Sequence, residues 1–121
     1  MHRFKKLEIW KESLNFVCKI YKITKNFPKE ELYGLTSQLR RASVSINLNI
    51  AEGAASKSDI EFRRFLIISL KSTYEVVAIL EIILKLNYIN SGEFNELMEE
   101  VNKVGAKINF LINRLNKSNS K

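Results

Sequence analysis

Few side chains in this sequence of 121 residues could carry out chemistry. His2 is the single histidine and Cys18 the single cysteine, so metal sites built on these residues and Ser-His or Cys-His catalysis are not expected. Asp59 is the only aspartate and stands beside a predicted helix cap. No glycine-rich loop follows a strand pattern, and no Glu-x-x-His pair occurs. We therefore expect a protein that is not an enzyme and that needs no cofactor or metal.

One segment carries an unusual line of polar residues at helical spacing. The line consists of Arg41, Ser45, Asn49 and Glu52. Because Ser and Asn are poor residues for the middle of a helix, a specific role must retain them. One interpretation is a polar site for a phosphate or a partner. The interpretation we favour is a partly buried hydrogen-bond network, in which Arg40 or Arg41 is neutralised by Glu52 or by Glu75.

The elements that position these residues are predicted to be helices. Apolar residues recur at helical spacing in four blocks, and no strand alternation competes. The blocks predict an all-α protein with helices at about 5–26, 36–53, 59–86 and 92–115. Ser58 and Glu61 form a capping box, and Gly53 is predicted to end the second helix as a left-handed cap. Because the connections are short, we expect one domain over residues 1–121, an antiparallel up-down-up-down four-helix bundle.

The first and third helices carry more apolar surface than one bundle core requires. The first helix has two stripes on nearly opposite sides. One stripe consists of Leu7, Trp10, Leu14, Val17 and Tyr21, and the other of Ile9, Phe16, Ile20, Ile23 and Phe27. In the third helix, Ile67, Tyr74 and Ile82 lie on the otherwise charged side. Surplus apolar surface of this extent indicates an interface rather than tolerated scatter. We predict a homo-oligomer with contacts through the second stripe and these three residues.

The net charge of +7 is concentrated near the start of the chain. Residues 1–29 hold eight Lys or Arg and two Glu, and a basic surface of this kind attracts polyanions, nucleic acid above all. The candidate nucleic-acid-binding residues are Arg3, Lys5, Lys6, Lys11, Lys19, Lys22 and Lys25. A lone cysteine and the absence of a long apolar run predict a cytoplasmic protein with no membrane segment.

Several motifs together resemble a known family. They are FPKEELYGLTSQLRRA at 27–42, NIAEG at 49–53, FRRFL at 62–66 and LNYI at 86–89, with Trp10 and Glu75. This ordered set is similar to the four-helix bundle proteins encoded in intervening sequences of bacterial 23S ribosomal RNA genes, over nearly the whole chain. Two positions depart from the family: Asn47 stands where proline is common, and Lys71 where glycine is common.

The resemblance implies a left-handed bundle that assembles as a ring-shaped homo-oligomer, a pentamer, with no established enzymatic activity. The basic accessory proteins of diversity-generating retroelements form a related family, and the analogy with them implies a function in association with nucleic acid. The resulting hypothesis is an accessory protein that binds RNA or DNA through phosphates, with strong salt dependence. The alternative is a scaffold that binds a protein partner and no nucleic acid.

Overall fold

The chain folds into four α-helices and two short 3₁₀ turns. The computed structural model describes residues 3–119, and within them there is no strand. The α-helices are α1 (Glu8–Thr24), α2 (Leu35–Ala55), α3 (Asp59–Lys85) and α4 (Ser91–Asn119), and the 3₁₀ turns are Arg3–Lys6 and Lys29–Glu31. The predicted all-α class is confirmed. None of the described helices is both long enough and apolar enough to cross a lipid bilayer.

The ends of α3 follow local sequence signals. At its start the Ser58 hydroxyl accepts a hydrogen bond from the Glu61 backbone N–H at 3.1 Å, as the capping motif predicts. At its end Asn87 adopts a left-handed conformation with φ of 62°. The N–H of Tyr88 then bonds the carbonyl of Ile83 at 2.9 Å, closing a Schellman motif. An asparagine tolerates this conformation better than most residues.

Gly53 does not end α2, which corrects the sequence-based prediction. The helix continues to Ala55, and no glycine in the described chain has a positive φ. A Cβ at Gly53 would lie 2.8 Å from Cδ1 of Phe62 and 3.0 Å from Cβ of Phe65. The glycine is therefore retained because α2 and α3 approach too closely here for a side chain.

The four helices surround one apolar core. Helix α2 packs against α1 and α3, and α4 packs against α3 and α1, whereas α1 and α3 do not contact each other. The pair α1 and α2 therefore forms one side of the molecule, and the pair α3 and α4 forms the opposite side. The largest fully buried side chains are Phe16, Ile20, Leu39, Ile46, Ile50, Leu66, Leu80, Ile83, Leu97 and Ile108.

A buried amide joins α1 to α2. Asn47 is 9% exposed, and its Nδ2 donates to the Ser13 hydroxyl at 3.0 Å and to the Trp10 carbonyl at 3.3 Å. Farther along, Arg40 Nε donates to the Thr24 hydroxyl at 2.8 Å. These contacts run in opposite residue order along the two helices. They also satisfy an amide whose burial without partners would be costly.

Candidate functional site

Lys107 on α4 is neutralised by two carboxylates on α1. Its Nζ lies 2.6 Å from Glu8 and 2.9 Å from Glu12. The hydrogen bonds that Lys107 donates, to Glu12 first and then to Glu8, raise the pKa of Lys107 above 10.5. The hydrogen bond from Lys107 in turn lowers the pKa of Glu8 below 4.5. Both acidic residues of α1 are thus occupied within the chain.

Lys19, one of the predicted nucleic-acid-binding residues, is also engaged within the chain. Its Nζ donates to Glu96 at 2.9 Å and to Glu100. These hydrogen bonds, the one to Glu100 first, raise the pKa of Lys19 above 10.5. An ammonium flanked by two carboxylates belongs to a group without net positive charge, so it attracts a phosphate weakly. The structure therefore assigns Lys19 to the contact between α1 and α4.

The other predicted lysines are exposed and have no ion pair within the part of the chain that the structure describes. They are Lys5, Lys6, Lys11, Lys22 and Lys25. The side chain of Arg3 lies outside the described residues. At about 1.5 Å per helical residue, Lys11 and Lys25, the C-cap residue of α1, are separated by roughly 20 Å along the helix axis. The basic residues therefore form a strip along the helix rather than one compact patch.

The structure corrects the predicted oligomer interface on α1. Ile9, Phe16, Ile20 and Phe27 are buried within the single chain and cannot face a second copy. Ile23, and Ile67 on α3, are half-buried against the same core. The prediction for this stripe is wrong because helical spacing in the sequence shows two apolar stripes on α1 without showing which of them faces the core.

The surplus apolar surface lies on other residues. Two residues of the opposite stripe of α1 are at the surface, with Leu14 39% and Tyr21 40% exposed, although Trp10 of that stripe packs against the core. Leu48 on the neighbouring α2 is 53% exposed. On α3, Tyr74 and Ile82 are 63% and 46% exposed, where the sequence places them. Both sides of the bundle therefore present large apolar side chains that one chain does not cover.

The polar line of α2 is a hydrogen-bond network only in part. Asn49 Nδ2 donates to the Ser45 carbonyl at 2.8 Å and to its hydroxyl at 3.1 Å, and Ser72 on α3 donates to the same hydroxyl at 2.9 Å. Arg40 turns toward α1, with its guanidinium 4.5 Å from the ring centroid of Tyr21. Its role is structural, since it connects α2 to α1.

The expected charge neutralisation of this network is absent. Neither Arg40 nor Arg41 lies within 4.0 Å of the carboxylates of Glu52 or Glu75, whereas the ion pairs Lys19–Glu96 and Lys107–Glu12 join α1 to α4. The side chains of Arg41, Glu52 and Glu75 are instead exposed. The polar line thus combines a fixed hydroxyl–amide pair with charges that remain available to a partner.

Arg41 lies between two surface grooves. The groove toward α1 includes Tyr21, Leu48 and Glu52. The other groove, which we call the Arg41 groove, separates α2 from α3 beside the loop that precedes α2. It is lined by Tyr33, Gly34, Ser37, Gln38, Arg41, Ala42, Ser45 and Glu75. Tyr33 was not among the predicted site residues because nothing in its local sequence distinguishes a surface tyrosine from a core tyrosine.

The loop that carries Tyr33 is held in place by Glu31. One carboxylate oxygen accepts from the Leu35 N–H at 3.2 Å, and the other accepts from the Tyr88 hydroxyl at 2.8 Å. The latter hydrogen bond raises the pKa of Tyr88 above 10.0. A Cβ at Gly34 would lie 2.9 Å from Glu31 Oε1, so the glycine leaves room for this carboxylate. The loop is therefore fixed, whereas the Tyr33 ring is 94% exposed.

Metal-binding chemistry finds no support in the described residues, where no group of three or more His, Cys, Asp or Glu side chains is arranged to hold an ion. Cys18 is free and exposed on α1. The arrangement as a whole offers lysines, an unpaired arginine and carboxylates, and exposed aromatic and aliphatic side chains.

Comparison with solved structures places this architecture in an existing class of helical bundle. A crystal structure of a protein with unknown function from the S23 ribosomal protein family of Bacteroides thetaiotaomicron VPI-5482 superimposes with a TM-score of 0.78. The match covers 86% of this chain and 97% of that chain, at 24% sequence identity. At this level of identity the likeness establishes the shared fold. A search of curated proteins finds no match.

The family model for 23S rRNA-intervening sequence proteins matches residues 5–110. Because this match spans most of the chain, the chain belongs to that family, and the resemblance drawn from its motifs is confirmed.

Proposed function

We propose that this protein is a cytoplasmic, non-enzymatic homo-oligomer that associates with RNA as an accessory protein. The observation that carries the proposal is the strip of exposed, unpaired lysines along α1, of which Lys11 and Lys22 lie within the helix and Lys25 is its C-cap residue. In the same helix the acidic residues are already neutralised by α4. The strip is therefore purely basic toward a polyanion, and phosphate binding releases counterions from that polyanion.

The oligomer in this proposal is a ring, a pentamer as the resemblance implies, of left-handed up-down-up-down bundles. Opposite residue order in the contacts of α1 with α2 and with α4 supports the antiparallel arrangement. Exposed apolar residues on both sides of the bundle support self-association, because a soluble chain rarely leaves such residues uncovered without a purpose.

RNA binding is tested by the salt dependence of affinity. Labelled single-stranded RNA is titrated with the wild-type protein and with the double variant Lys22→Gln, Lys25→Gln at a series of salt concentrations. The matched control is Lys71→Gln, Lys85→Gln, which removes the same charge from exposed positions of α3. For single strands each phosphate contact contributes about −0.7 to the slope of log affinity against log salt.

We expect the α1 variant to lose up to about 1.4 in slope, and the α3 control to change little. Absence of binding at low salt, or an affinity that does not respond to salt, would contradict the proposal. A scaffold that captures only a protein partner would give that negative result. Equal losses for the two variants would refute the assignment to α1.

A further inference from the structure

The Arg41 groove holds two opposite charges that do not pair with each other. Arg41 and Glu75 line the same groove, both are exposed, and neither takes part in an ion pair in the described chain. A phosphate would be attracted by the arginine and repelled by the carboxylate. A simple cation would be attracted by the carboxylate and repelled by the arginine. A ligand that satisfies both must present hydrogen-bond acceptors on one edge and donors on another.

An aromatic platform stands at the rim of the same groove. The ring of Tyr33 is almost fully exposed, yet its backbone is fixed by the Glu31 carboxylate, which bonds Leu35 and Tyr88. Because the loop is already fixed, stacking of a planar ligand on this ring has to order the Tyr33 side chain but not its backbone. Gln38, also at the surface of the groove, adds one amide donor and one amide acceptor.

One part of the lining is polar and held in place. Ser45 lines the groove, and its hydroxyl lies within hydrogen-bond distance of Ser72 on α3 and of the Asn49 amide. These contacts fix the hydroxyl oxygen, which can serve as one more polar group for a ligand.

We infer that the Arg41 groove binds an unpaired guanine base. Guanine presents O6 and N7 as adjacent acceptors, which suit a bidentate arginine. Its N1–H and N2–H₂ groups form a donor pair, which suits the carboxylate of Glu75. Its flat face stacks on Tyr33, as bases of single-stranded RNA do on aromatic side chains. Adenine lacks the carbonyl acceptor and the N1–H donor, and the pyrimidines lack the imidazole edge.

This inference rests on the proposed association with RNA and adds base preference to it. The lysine strip supplies affinity for phosphates without reading sequence, whereas the groove reads one base. RNA recognition of this kind addresses single-stranded loops and ends, where both edges of the base are open.

The test compares a short single-stranded RNA that has one central guanosine in a uridine context with the same strand carrying adenosine or inosine. Inosine lacks the 2-amino group and so removes one donor to Glu75. Guanosine monophosphate and adenosine monophosphate, titrated separately, show whether the free nucleotide is recognised as well as the RNA. We expect at least about fivefold tighter binding of the guanosine strand than of the adenosine strand, with inosine between them.

The decisive variant is Glu75→Gln, which keeps the size of the side chain and removes the acceptor pair. Its control is Glu81→Gln, which changes an exposed glutamate of the same helix outside the groove. We expect Glu75→Gln to abolish the preference for guanosine, Arg41→Lys to weaken it, and Glu81→Gln to leave it unchanged. Far-UV circular dichroism checks that each variant remains folded.

Two results would overturn the inference. The first is salt-dependent RNA binding with equal affinity for all the strands, which would leave the proposed function intact. The second is loss of the oligomer in Glu75→Gln and Arg41→Lys without any base preference, which would make the groove a contact between copies. Preference for guanosine monophosphate without salt-dependent RNA binding would support the groove and refute the RNA proposal.

Discussion

Replacing Gly53 by alanine tests the close approach of α2 and α3, because the sign of the change in the free energy of unfolding depends on it. In a helix interior, alanine is more favourable than glycine by about 1 kcal/mol, so a glycine that serves no packing purpose would be improved by the change. Here the added Cβ would lie 2.8 Å from Phe62 Cδ1, 3.0 Å from Phe65 Cβ and 3.2 Å from the Phe62 carbonyl oxygen. The carbonyl belongs to the backbone of α3, so relief requires the two helices to separate.

Insertion of a methyl group into a packed contact costs about 1–3 kcal/mol. With the gain in helix propensity subtracted, we expect Gly53→Ala to lower the free energy of unfolding by up to about 2 kcal/mol. The matched control is Gly105→Ala on α4, where the nearest atom to the new Cβ is Thr73 Oγ1 at 3.4 Å. That distance is ordinary contact, so the control should be neutral or stabilising by up to about 1 kcal/mol.

The measurement is urea denaturation followed by circular dichroism, with all variants at one protein concentration because self-association would add to apparent stability. The midpoint should fall for Gly53→Ala and stay or rise for Gly105→Ala, with similar slopes. A higher midpoint for Gly53→Ala would refute the packing argument. It would mean that the glycine is simply an unfavourable helix residue.

Three further predictions concern contacts between elements. Lys107→Met should lower the free energy of unfolding at neutral pH. The difference from wild type should shrink as the pH falls through the depressed pKa of Glu8, below 4.5, because the protonated carboxyl no longer attracts the lysine. Urea midpoints at a series of pH values measure this difference, and a constant difference down to pH 2 would contradict the prediction. Asn47→Ala removes two hydrogen bonds from a buried site and should cost about 1–3 kcal/mol, measured by the same denaturation; an unchanged midpoint would contradict it. Tyr88→Phe removes the hydrogen bond to one carboxylate oxygen of Glu31 and should speed hydrogen exchange of the backbone amides at the start of α2. The free energy of global unfolding should fall by no more than about 1 kcal/mol. Unaltered exchange at these amides would show that the Tyr88 hydrogen bond does not hold the loop.

Periodicity was sufficient to predict the helices. Each described helix lies within four residues of its predicted bounds, because the apolar spacing and the cap at Ser58 act locally. The prediction that Gly53 ends α2 was wrong because the role of this glycine is not local. Its role depends on the Phe62 backbone, which is near in space but belongs to another helix. A glycine near a helix end looks the same in the sequence whether it supplies a left-handed cap or room for a neighbour.

The core face of α1 could not be chosen from the sequence, because its true core stripe contains two hydroxyl residues. Ser13 and Thr24 are buried there, and each donates to a carbonyl of its own helix, to Trp10 at 2.9 Å and to Ile20 at 2.7 Å. Those local hydrogen bonds lower the cost of burial. The stripe with Leu14 and Tyr21 looked equally apolar, yet these two residues are exposed.

The charges of the candidate site depended on distances between helices. The sequence indicated partners for Arg41, but the ion pairs formed elsewhere, between α1 and α4, and left Arg41 and Glu75 unpaired on the rim of a groove. Residue spacing along one helix does not say which neighbouring helix lies within 4 Å. The groove and its exposed Tyr33 were therefore visible only in the folded chain.

Self-association is the claim on which the proposed ring depends, and the mass in solution tests it most directly. Multi-angle light scattering at micromolar concentration in low salt should give a discrete mass several times the 14.1 kDa of one chain, with five copies expected. A single species of 14.1 kDa in low salt would contradict the account, since Leu48 and Tyr74 would then stay uncovered.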